Sequence, residues 1–431
     1  MFKKGLSIIL AAIMVLSMTV LFAGCGETES SSGKADGDNK KSVKVGVILI
    51  GDETEGYSLA HIEGIKTAAK NLGLADTDVI WKYKVAENQS CTDVATDLVG
   101  QGCNVIFSNS YGHETYMQLA AEQYPEVTFV SMTGDFAAIC GLNNYKNAFT
   151  NVYESRYVSG VVAGLKLKEL VDKGELTKEK VPASFDENGN IKVGYVGAFD
   201  YSEVVSGYTA FYLGIKSVVE NVVMEVEYTN SWFSIEKEGA AAEALMANGC
   251  VVIGQHADST GAPAAAEKKA KEGQMVYSIG YNVDMRDTAP TAALTSATNN
   301  WAVYYEYAIG CIMNGEEIKT DWSEGYSLDA VGTTELGANA AEGTKEYIED
   351  VVSKIKDGSL HIFDTSKFTV DGKAVTNAEI DLSYYDFSGD TPKVIYQGET
   401  KEAITDGYFA ESTLRSAPYF SLRIDGITEN K

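Results

Sequence analysis

From Ser42 onward, short apolar runs alternate with stretches whose apolar residues recur at helical spacing. The run VKVGVILIG (residues 43–51) is continuously apolar, which is typical of a strand buried on both faces of a sheet. An apolar stripe from Ile62 to Leu72 predicts that a helix follows this strand. The alternation of strands and helices continues to VTFVSM (residues 127–132). This βαβαβαβ order predicts a parallel sheet with right-handed crossovers.

The same alternation restarts after residue 150. IKVGYVGAF (residues 191–199) predicts a strand, and VVMEVEYTN, CVVIGQH, MVYSIGY and AALTSAT predict four more, with helices between or after them. The helix between the second and third of these strands carries clear signals at both ends. Ser234 can cap its start, Glu236 and Glu238 suit the positive end of its dipole, and Asn248-Gly249 ends it.

The pattern therefore predicts two α/β lobes. Lobe 1 is expected over residues 43–150 with about 298–320, and lobe 2 over residues 151–297. Beyond about residue 321 the signal weakens to one helix, residues 343–356, and scattered β-prone pieces, so residues 321–431 are expected to pack on the lobes as a C-terminal extension. Ligands of parallel sheets bind beyond the carboxyl ends of the strands, so two such sheets predict a cleft between the lobes.

Length and charge agree with this picture and limit the partners. A chain of 431 residues is too long for one ordinary core, and 45% hydrophobic with 22% charged residues is typical of a globular protein. The formal charge of −26, with no cluster of Lys or Arg after residue 41, argues against a nucleic-acid partner.

The N-terminus resembles a bacterial lipoprotein signal. Lys3 and Lys4 precede an uncharged apolar run, residues 6–22, and Ala-Gly-Cys25 follows. The resemblance implies that residues 1–24 are removed and that Cys25 carries the lipid, although Phe22 stands where the motif prefers Leu. An uncleaved signal anchor is the alternative. Residues 26–42 hold no apolar side chain larger than Ala, so we expect a disordered tether over residues 25–42.

The stretch QHADST (residues 255–260) is the candidate for chemistry, and it has two interpretations. His256, Asp258 and Ser259 could serve a hydrolase, but they are nearly adjacent on a strand end and no G-x-S-x-G is present. The histidines and cysteines show no metal-ligand spacing, so we expect no metal and no cofactor. The favoured interpretation is the polar edge of a binding cleft, without catalysis.

Aromatic side chains recur beside the predicted strand ends: Tyr57, Tyr111, Phe199, Tyr201, Trp232 and Trp301. Flat π-faces beside hydrogen-bonding groups suit a planar heterocycle or a sugar ring. We therefore expect a binding protein for a small polar solute, and the residues themselves leave both ligand classes open.

Seven segments carry a specific resemblance to the basic-membrane-protein family of substrate-binding lipoproteins, which serve bacterial ABC importers of purine nucleosides and related compounds. They are EGYSLAHIEGIKTA, SNSYGHETYMQLAAEQYPEVTFV, NVYESRYVSGVVAG, GYVGAFDYSEVVSGYTAFYLGI, ALMANGCVVIGQHADST, YSIGYNVDM and LTSATNNWAVYY. The resemblance implies a two-lobed periplasmic-binding-protein type I fold, capture of a ligand by cleft closure, and an ABC permease as partner. It also implies a monomer held by lipid at the extracytoplasmic face of the cell membrane.

Within that family the chain resembles the branch that binds a free purine base. The nucleoside-binding branch has a lysine just after the LTS strand, where this chain has Asn299 or Asn300. A base is therefore favoured over a nucleoside, with a sugar receptor of the same fold as the alternative. The ligand-binding residues implied by the resemblance are Tyr57, Ser110, Tyr111, Gly112, Phe199, Trp232, His256, Asp258, Asn282, Asp284 and Trp301.

Two of these positions depart from the branch, and one nearby pair is assigned elsewhere. Asn282 stands where Asp is common, and Tyr57 stands where Trp is frequent. Glu154 and Arg156 open the helix just past the first lobe, and we interpret them as hinge and packing residues rather than as ligand contacts.

Overall fold

A computed structural model describes residues 41–386 and 392–430 of the chain. The expected signal peptide (residues 1–24), the lipidation site Cys25 and nearly all of the expected tether (residues 25–42) lie outside the described residues. In the part of the chain that is described, no helix combines the length and the apolar character needed to cross a membrane.

The first sheet is parallel throughout, in the order β11–β5–β4–β3–β1–β2. Its strands are β1 Val45–Ile48, β2 Val79–Lys82, β3 Val105–Ser108, β4 Thr128–Met132, β5 Tyr145–Thr150 and β11 Asp321–Glu324. Every residue of β1, β3 and β5 is buried, as expected of central strands covered by helices on both faces.

The second sheet has the order β12–β10–β9–β8–β6–β7–β21, and all its pairs are parallel except β10 with β12. Its strands are β6 Ile191–Gly197, β7 Val222–Tyr228, β8 Val252–His256, β9 Tyr277–Tyr281, β10 Ala293–Asn299, β12 Val331–Thr333 and β21 Ile427–Asn430. The two sheets with their helices are the two lobes of the expected fold.

The helices of the described residues are α1 Gly56–Leu72, α2 Gln89–Gly100, α3 Glu114–Gln123, α4 Val152–Asp172, α5 Ser202–Lys216, α6 Ile235–Ala247, α7 Gly261–Lys271, α8 Trp301–Asn314 and α9 Thr344–Lys356. The predicted ends of α6 are confirmed. Ser234 Oγ accepts a hydrogen bond from the backbone N–H of Lys237 (3.3 Å), and Gly249 follows the helix in the left-handed region at φ 97°.

Residues 321–430 contribute to both sheets, through β11 in the first and through β12 and β21 in the second. The segment also contains α9 and four short antiparallel pairs, formed by β13 Thr369–Val370, β14 Lys373–Ala374, β15 Glu379–Asp381, β16 Tyr384–Asp386, β17 Lys393–Tyr396, β18 Thr400–Glu402, β19 Ile404–Thr405 and β20 Tyr408–Phe409. Strands of two to four residues are too short to show a period in the sequence, so pattern analysis did not predict them.

Helices α4 and α5 cross at unusually close range in the second lobe. A Cβ placed on Gly160 would lie 2.1 Å from the carbonyl oxygen of Phe211, and one on Gly214 would lie 2.1 Å from that of Tyr157. Because these neighbours are backbone atoms, they cannot move aside as a side chain can. The two glycines therefore set the distance between the helices.

We expect Gly160→Ala to lower the free energy of unfolding by roughly 1–3 kcal/mol, because the helices must separate to admit one methyl group. The matched control is Gly310→Ala in α8, where nothing lies within 4 Å of an added Cβ. There the better helix propensity of Ala should raise stability by roughly 0.5–1 kcal/mol. Urea unfolding of both variants is the measurement, and equal effects would contradict the close approach.

Candidate functional site

A cavity of about 860 Å³ lies where the carboxyl ends of strands from both sheets meet, as the parallel topology predicts. Of the predicted binding residues, it is lined by Tyr57, Ser110, Tyr111, Gly112, Phe199, Trp232 and Asp258. The remaining four, His256, Asn282, Asp284 and Trp301, do not line it.

The wall from the first lobe is fixed by Asn109, a buried residue just after β3. Its side chain accepts from the backbone N–H of Ile50 (2.9 Å) and donates to Ser58 Oγ (3.1 Å), which joins the loops that follow β1 and β3. The Tyr57 hydroxyl donates to the carbonyl oxygen of Asn109. The Tyr57 ring is thus held in place at the start of α1.

The loop of Ser110, Tyr111 and Gly112 forms the outer part of this wall. Ser110 donates its hydroxyl hydrogen to Glu87, and the same carboxylate packs closely against Gly112. Tyr111 is 46% exposed although it is a large aromatic residue. An aromatic ring left open at a cavity is available to a ligand.

The wall from the second lobe is a group of aromatic rings. Phe199 stacks on Tyr201 with ring centroids 5.2 Å apart, and Trp232 lies tilted against Phe199 at 5.5 Å. Tyr281, at the end of β9, also lines the cavity, and its ring lies 3.6 Å below the Arg156 guanidinium. The cavity therefore has aromatic faces on both lobes.

Asp258 is held in the cavity wall by hydrogen bonds of both its backbone and its side chain. Its backbone N–H donates to the Trp232 carbonyl oxygen (2.7 Å), and its Oδ1 accepts from Asn282 Nδ2 (2.7 Å). Asn282 in turn accepts from Asn299 Nδ2 (3.2 Å), and Asn299 accepts from the Thr150 hydroxyl. Asp258 Oδ2 makes no hydrogen bond with the described residues, which leaves that oxygen for a ligand.

Burial changes the protonation of the carboxyl groups around Asp258. Desolvation, with the negative charges of Glu55, Glu238 and Glu203 nearby, raises the pKa of Asp258 well above its usual range. Desolvation also raises the pKa of Glu55, and it raises the pKa of Glu203 to about 7 despite the opposing charge of Arg156. A neutral carboxyl offers an O–H donor beside a carbonyl acceptor.

His256 lies behind the cavity wall and is fully buried. Its Nε2 lies 3.2 Å from Glu203 Oε1, and burial together with the Arg156 charge lowers the pKa of His256 well below its usual range, so the ring is neutral. Ser259 Oγ instead accepts from the backbone N–H of Gly261 (3.0 Å). Among the described residues, no hydrogen bond joins His256 to Asp258 or Ser259, so a triad is not assembled.

Asp284 and Trp301 lie away from the cavity for clear physical reasons. Asp284 forms a bidentate ion pair with Arg286, two residues further along the same exposed loop. Trp301 begins α8 with its side chain turned toward α1, where it stacks on His61 at 4.4 Å and packs against Gly64. Trp301 thus packs in the core of the first lobe.

Glu154 and Arg156 also remain outside the cavity lining. A carboxylate oxygen of Glu154 accepts from the backbone N–H of Tyr326 (2.7 Å), and Arg156 donates to the Gln255 carbonyl oxygen. Both contacts are packing contacts of buried or half-buried side chains, as we interpreted them from the sequence.

Two groups stand out among the lining residues that sequence reasoning missed. Glu55 and Glu203 stand at helix starts, where an acidic residue is ordinarily assigned to the helix dipole. The second group comes from the C-terminal segment, where no periodic pattern marked a site: Asp381, Ser383, Tyr384, Tyr385, Arg415, Ala417 and Pro418. No cluster of three or more metal-ligating side chains occurs among the residues described.

Residues 43–365 match the profile of a family described as "ABC transporter substrate-binding protein PnrA-like". A purine-binding protein of Brucella abortus is 28% identical over 329 residues, which cover 75% of this chain and 84% of that protein. A putative ABC transporter glucose-binding protein of Haloferax volcanii is 26% identical over 344 residues, covering 79% of this chain and 78% of that protein.

Solved structures agree on the fold. A solute-binding protein of an ABC transporter from Conexibacter woesei aligns with a TM-score of 0.58 at 18% identity, over 74% of this chain and 98% of that one. The resemblance noted in the sequence and the two-lobed α/β fold are both confirmed. The chain belongs to the Bmp family of PnrA-like ABC transporter substrate-binding proteins, which bind a small molecule outside the cytoplasm for a membrane permease.

Proposed function

We propose that this protein captures a purine-type heterocycle and delivers it to its permease. The observation that carries the proposal is Asp258, a carboxyl group fixed by Asn282 at the end of an aromatic-lined cavity. With one oxygen engaged by Asn282, the other can pair with the edge of a planar ring. A carboxyl that is neutral before binding can both donate and accept there, as a purine edge does.

The aromatic rings supply the second part of the recognition. Tyr57 and Tyr111 come from the first lobe, and Phe199, Tyr201 and Trp232 from the second. Closing the lobes would bring both sets onto the two faces of a flat ligand, and only the closed state makes both contacts. The ligand would therefore shift the equilibrium toward closure, which a permease can recognise.

Charge argues against a phosphorylated ligand. The described lining residues include one basic side chain, Arg415, together with the acidic residues Glu55, Glu87, Asp135, Asp200, Glu203, Asp258 and Asp381. A cavity with this excess of carboxyl groups repels phosphate oxygens at close range. An uncharged base or nucleoside is the form of purine that fits.

We also propose the anchoring inferred from the sequence, with removal of residues 1–24 and lipid on Cys25 of a monomer at the outer face of the cell membrane. One lipid chain alone gives marginal membrane binding, so the lipid chemistry at Cys25 matters. Intact-mass spectrometry of the membrane-extracted protein reads both the processing site and the lipid mass directly.

A sugar is the second candidate ligand. The glucose-binding name of the Haloferax volcanii relative favours it, and Trp232 offers a face on which a pyranose can stack. Trp301, the other tryptophan among the predicted binding residues, is buried against His61 and offers no ring face to the cavity. That loss leaves the purine as the preferred ligand.

Thermal unfolding against a panel of bases, nucleosides and sugars tests the proposal. A ligand present at about 100 times its Kd should add about 2.7 kcal/mol of stability and raise the Tm measurably. We expect purines to raise the Tm and sugars to leave it unchanged. A panel in which only a sugar raises the Tm would reverse the assignment.

We expect Asp258→Ala and Tyr111→Ala each to weaken purine binding by about tenfold or more, because leaving a buried ring edge unpaired or losing a stacking contact costs roughly 1–3 kcal/mol. The matched controls are Asp284→Ala, an aspartate paired with Arg286, and Tyr83→Ala, an exposed tyrosine; neither lines the cavity. Isothermal titration calorimetry gives the four affinities. Unchanged binding in both site variants would remove Asp258 and Tyr111 from the site.

Glu203 should make a contribution to the stability of the ligand-free protein that is lost as pH rises from about 5 to 8. The pKa of Glu203 is raised from 4.5 to about 7 by burial, so between these values the folded state binds more protons than the unfolded state. The contribution of Glu203 to the free energy of unfolding is fully present below about pH 4.5. It is lost as pH rises through about 7.

Urea unfolding across this pH range, compared with Glu203→Gln, isolates that contribution. Gln keeps the shape of the side chain and an acceptor for His256 but does not titrate. As pH rises over this range, the unfolding free energy of the wild type should decrease relative to that of Glu203→Gln. Identical slopes would mean that Glu203 is already ionised at low pH.

A further inference from the structure

The C-terminal segment forms a distinct part of the cavity. The family profile ends at residue 365, yet Asp381, Ser383 and Arg415 are among the lining residues that come from beyond that point. A volume of about 860 Å³ also lies near the upper end of the ~300–1,000 Å³ typical of small-molecule pockets, so it has room for more than a planar ring.

Asp258 and Arg415 line the same cavity but have different partners. Asp258 accepts from Asn282, which in turn accepts from Asn299 at the end of β10. Arg415 lies beside Asp135, which follows β4 of the first sheet. The two side chains are therefore held by separate parts of the cavity wall.

The backbone around Arg415 is fixed by hydrogen bonds. The loop that carries it is closed by the buried carboxylate of Glu411, which accepts from the backbone N–H groups of Tyr419 (2.7 Å) and Phe420 (2.8 Å). Next to it, the backbone N–H of Ser416 donates to Asp321 Oδ2 (2.9 Å) in the first sheet. These bonds fix the backbone on both sides of Arg415.

The Arg415 guanidinium has donors to spare. Its side chain is only 18% exposed, and its Nη1 lies 3.4 Å from Asp135 Oδ2, but it donates no hydrogen bond to any described residue. Asp135 Oδ1 likewise has no partner in the described part of the chain. Asp135 already balances the charge of Arg415, so the pair offers a donor beside an acceptor without net charge, which suits hydroxyl groups better than phosphate.

We propose that Arg415, held by Asp135, forms a second subsite that binds a hydroxyl-bearing substituent on the ligand's heterocycle. The inference rests on the proposed purine function. It makes Arg415 a residue that determines specificity, supplied by a segment outside the family profile. It also reverses the preference for a free base over a nucleoside that the resemblance implied.

Calorimetric titration of the full chain with adenine and adenosine, and with hypoxanthine and inosine, tests the subsite. The wild type should bind each nucleoside more tightly than its base. Arg415→Met should weaken nucleoside binding about tenfold or more, the usual effect of losing a hydrogen bond from a charged donor, and should change base affinity by less than about threefold. Arg415→Lys, which keeps the charge beside Asp135 but loses the planar fork of donors, should also weaken the nucleoside.

The unchanged base affinity shows that each variant is folded. The charge control is Lys401→Met, an exposed residue of the same segment that pairs with Glu399 outside the cavity. Equal loss of base and nucleoside, no loss of either, or a loss in Lys401→Met as large as in Arg415→Met would each overturn the subsite. A wild type that binds bases but not nucleosides would overturn the subsite while leaving the proposed function intact. A wild type that binds neither would refute the proposed function itself.

Discussion

The row of hydrogen bonds that ends on Asp258 is the interaction on which the proposed binding site depends. Thr150 donates to Asn299, Asn299 donates to Asn282, and Asn282 donates to Asp258, so every bond runs in the same direction. Thr150 ends β5 in the first lobe and Asn299 ends β10 in the second, so the row also crosses between the lobes. The orientation of one carboxyl group is thereby tied to the relative position of the two sheets.

This direction explains why an amide at position 282 suits this chain. An aspartate there could accept from Asn299, but when ionised it could not donate to Asp258, and two buried carboxylates would repel each other. Asn282 also adopts φ 62°, a left-handed conformation that asparagine tolerates better than most residues. An asparagine at position 282 therefore suits both the local backbone conformation and the row of hydrogen bonds.

The sequence predicted the parts of the fold that are long and periodic, and it missed those that depend on three-dimensional contacts. The two sheets and the ends of α6 followed from apolar runs and capping residues such as Ser234. Trp301 was assigned to the site by its neighbours in the chain, but the face of a helix that meets the cleft depends on packing, here against His61. Arg415 could not be found, because the pieces around it are too short to show a period and its partner Asp135 lies far away in the sequence.

The polar groups of the cavity also explain why this arrangement suits capture rather than reaction. A general base must be open to the substrate and have a pKa near the working pH, whereas His256 is fully buried, neutral and directed at Glu203. Asp258, conversely, is open to the cavity but is held by Asn282 as a fixed hydrogen-bonding group. In the proposed function, Asp258 would orient the edge of a ring between aromatic faces and couple that edge to the row of bonds that crosses both lobes. The bound state would then be stabilised by contacts that exist only when the lobes are correctly placed.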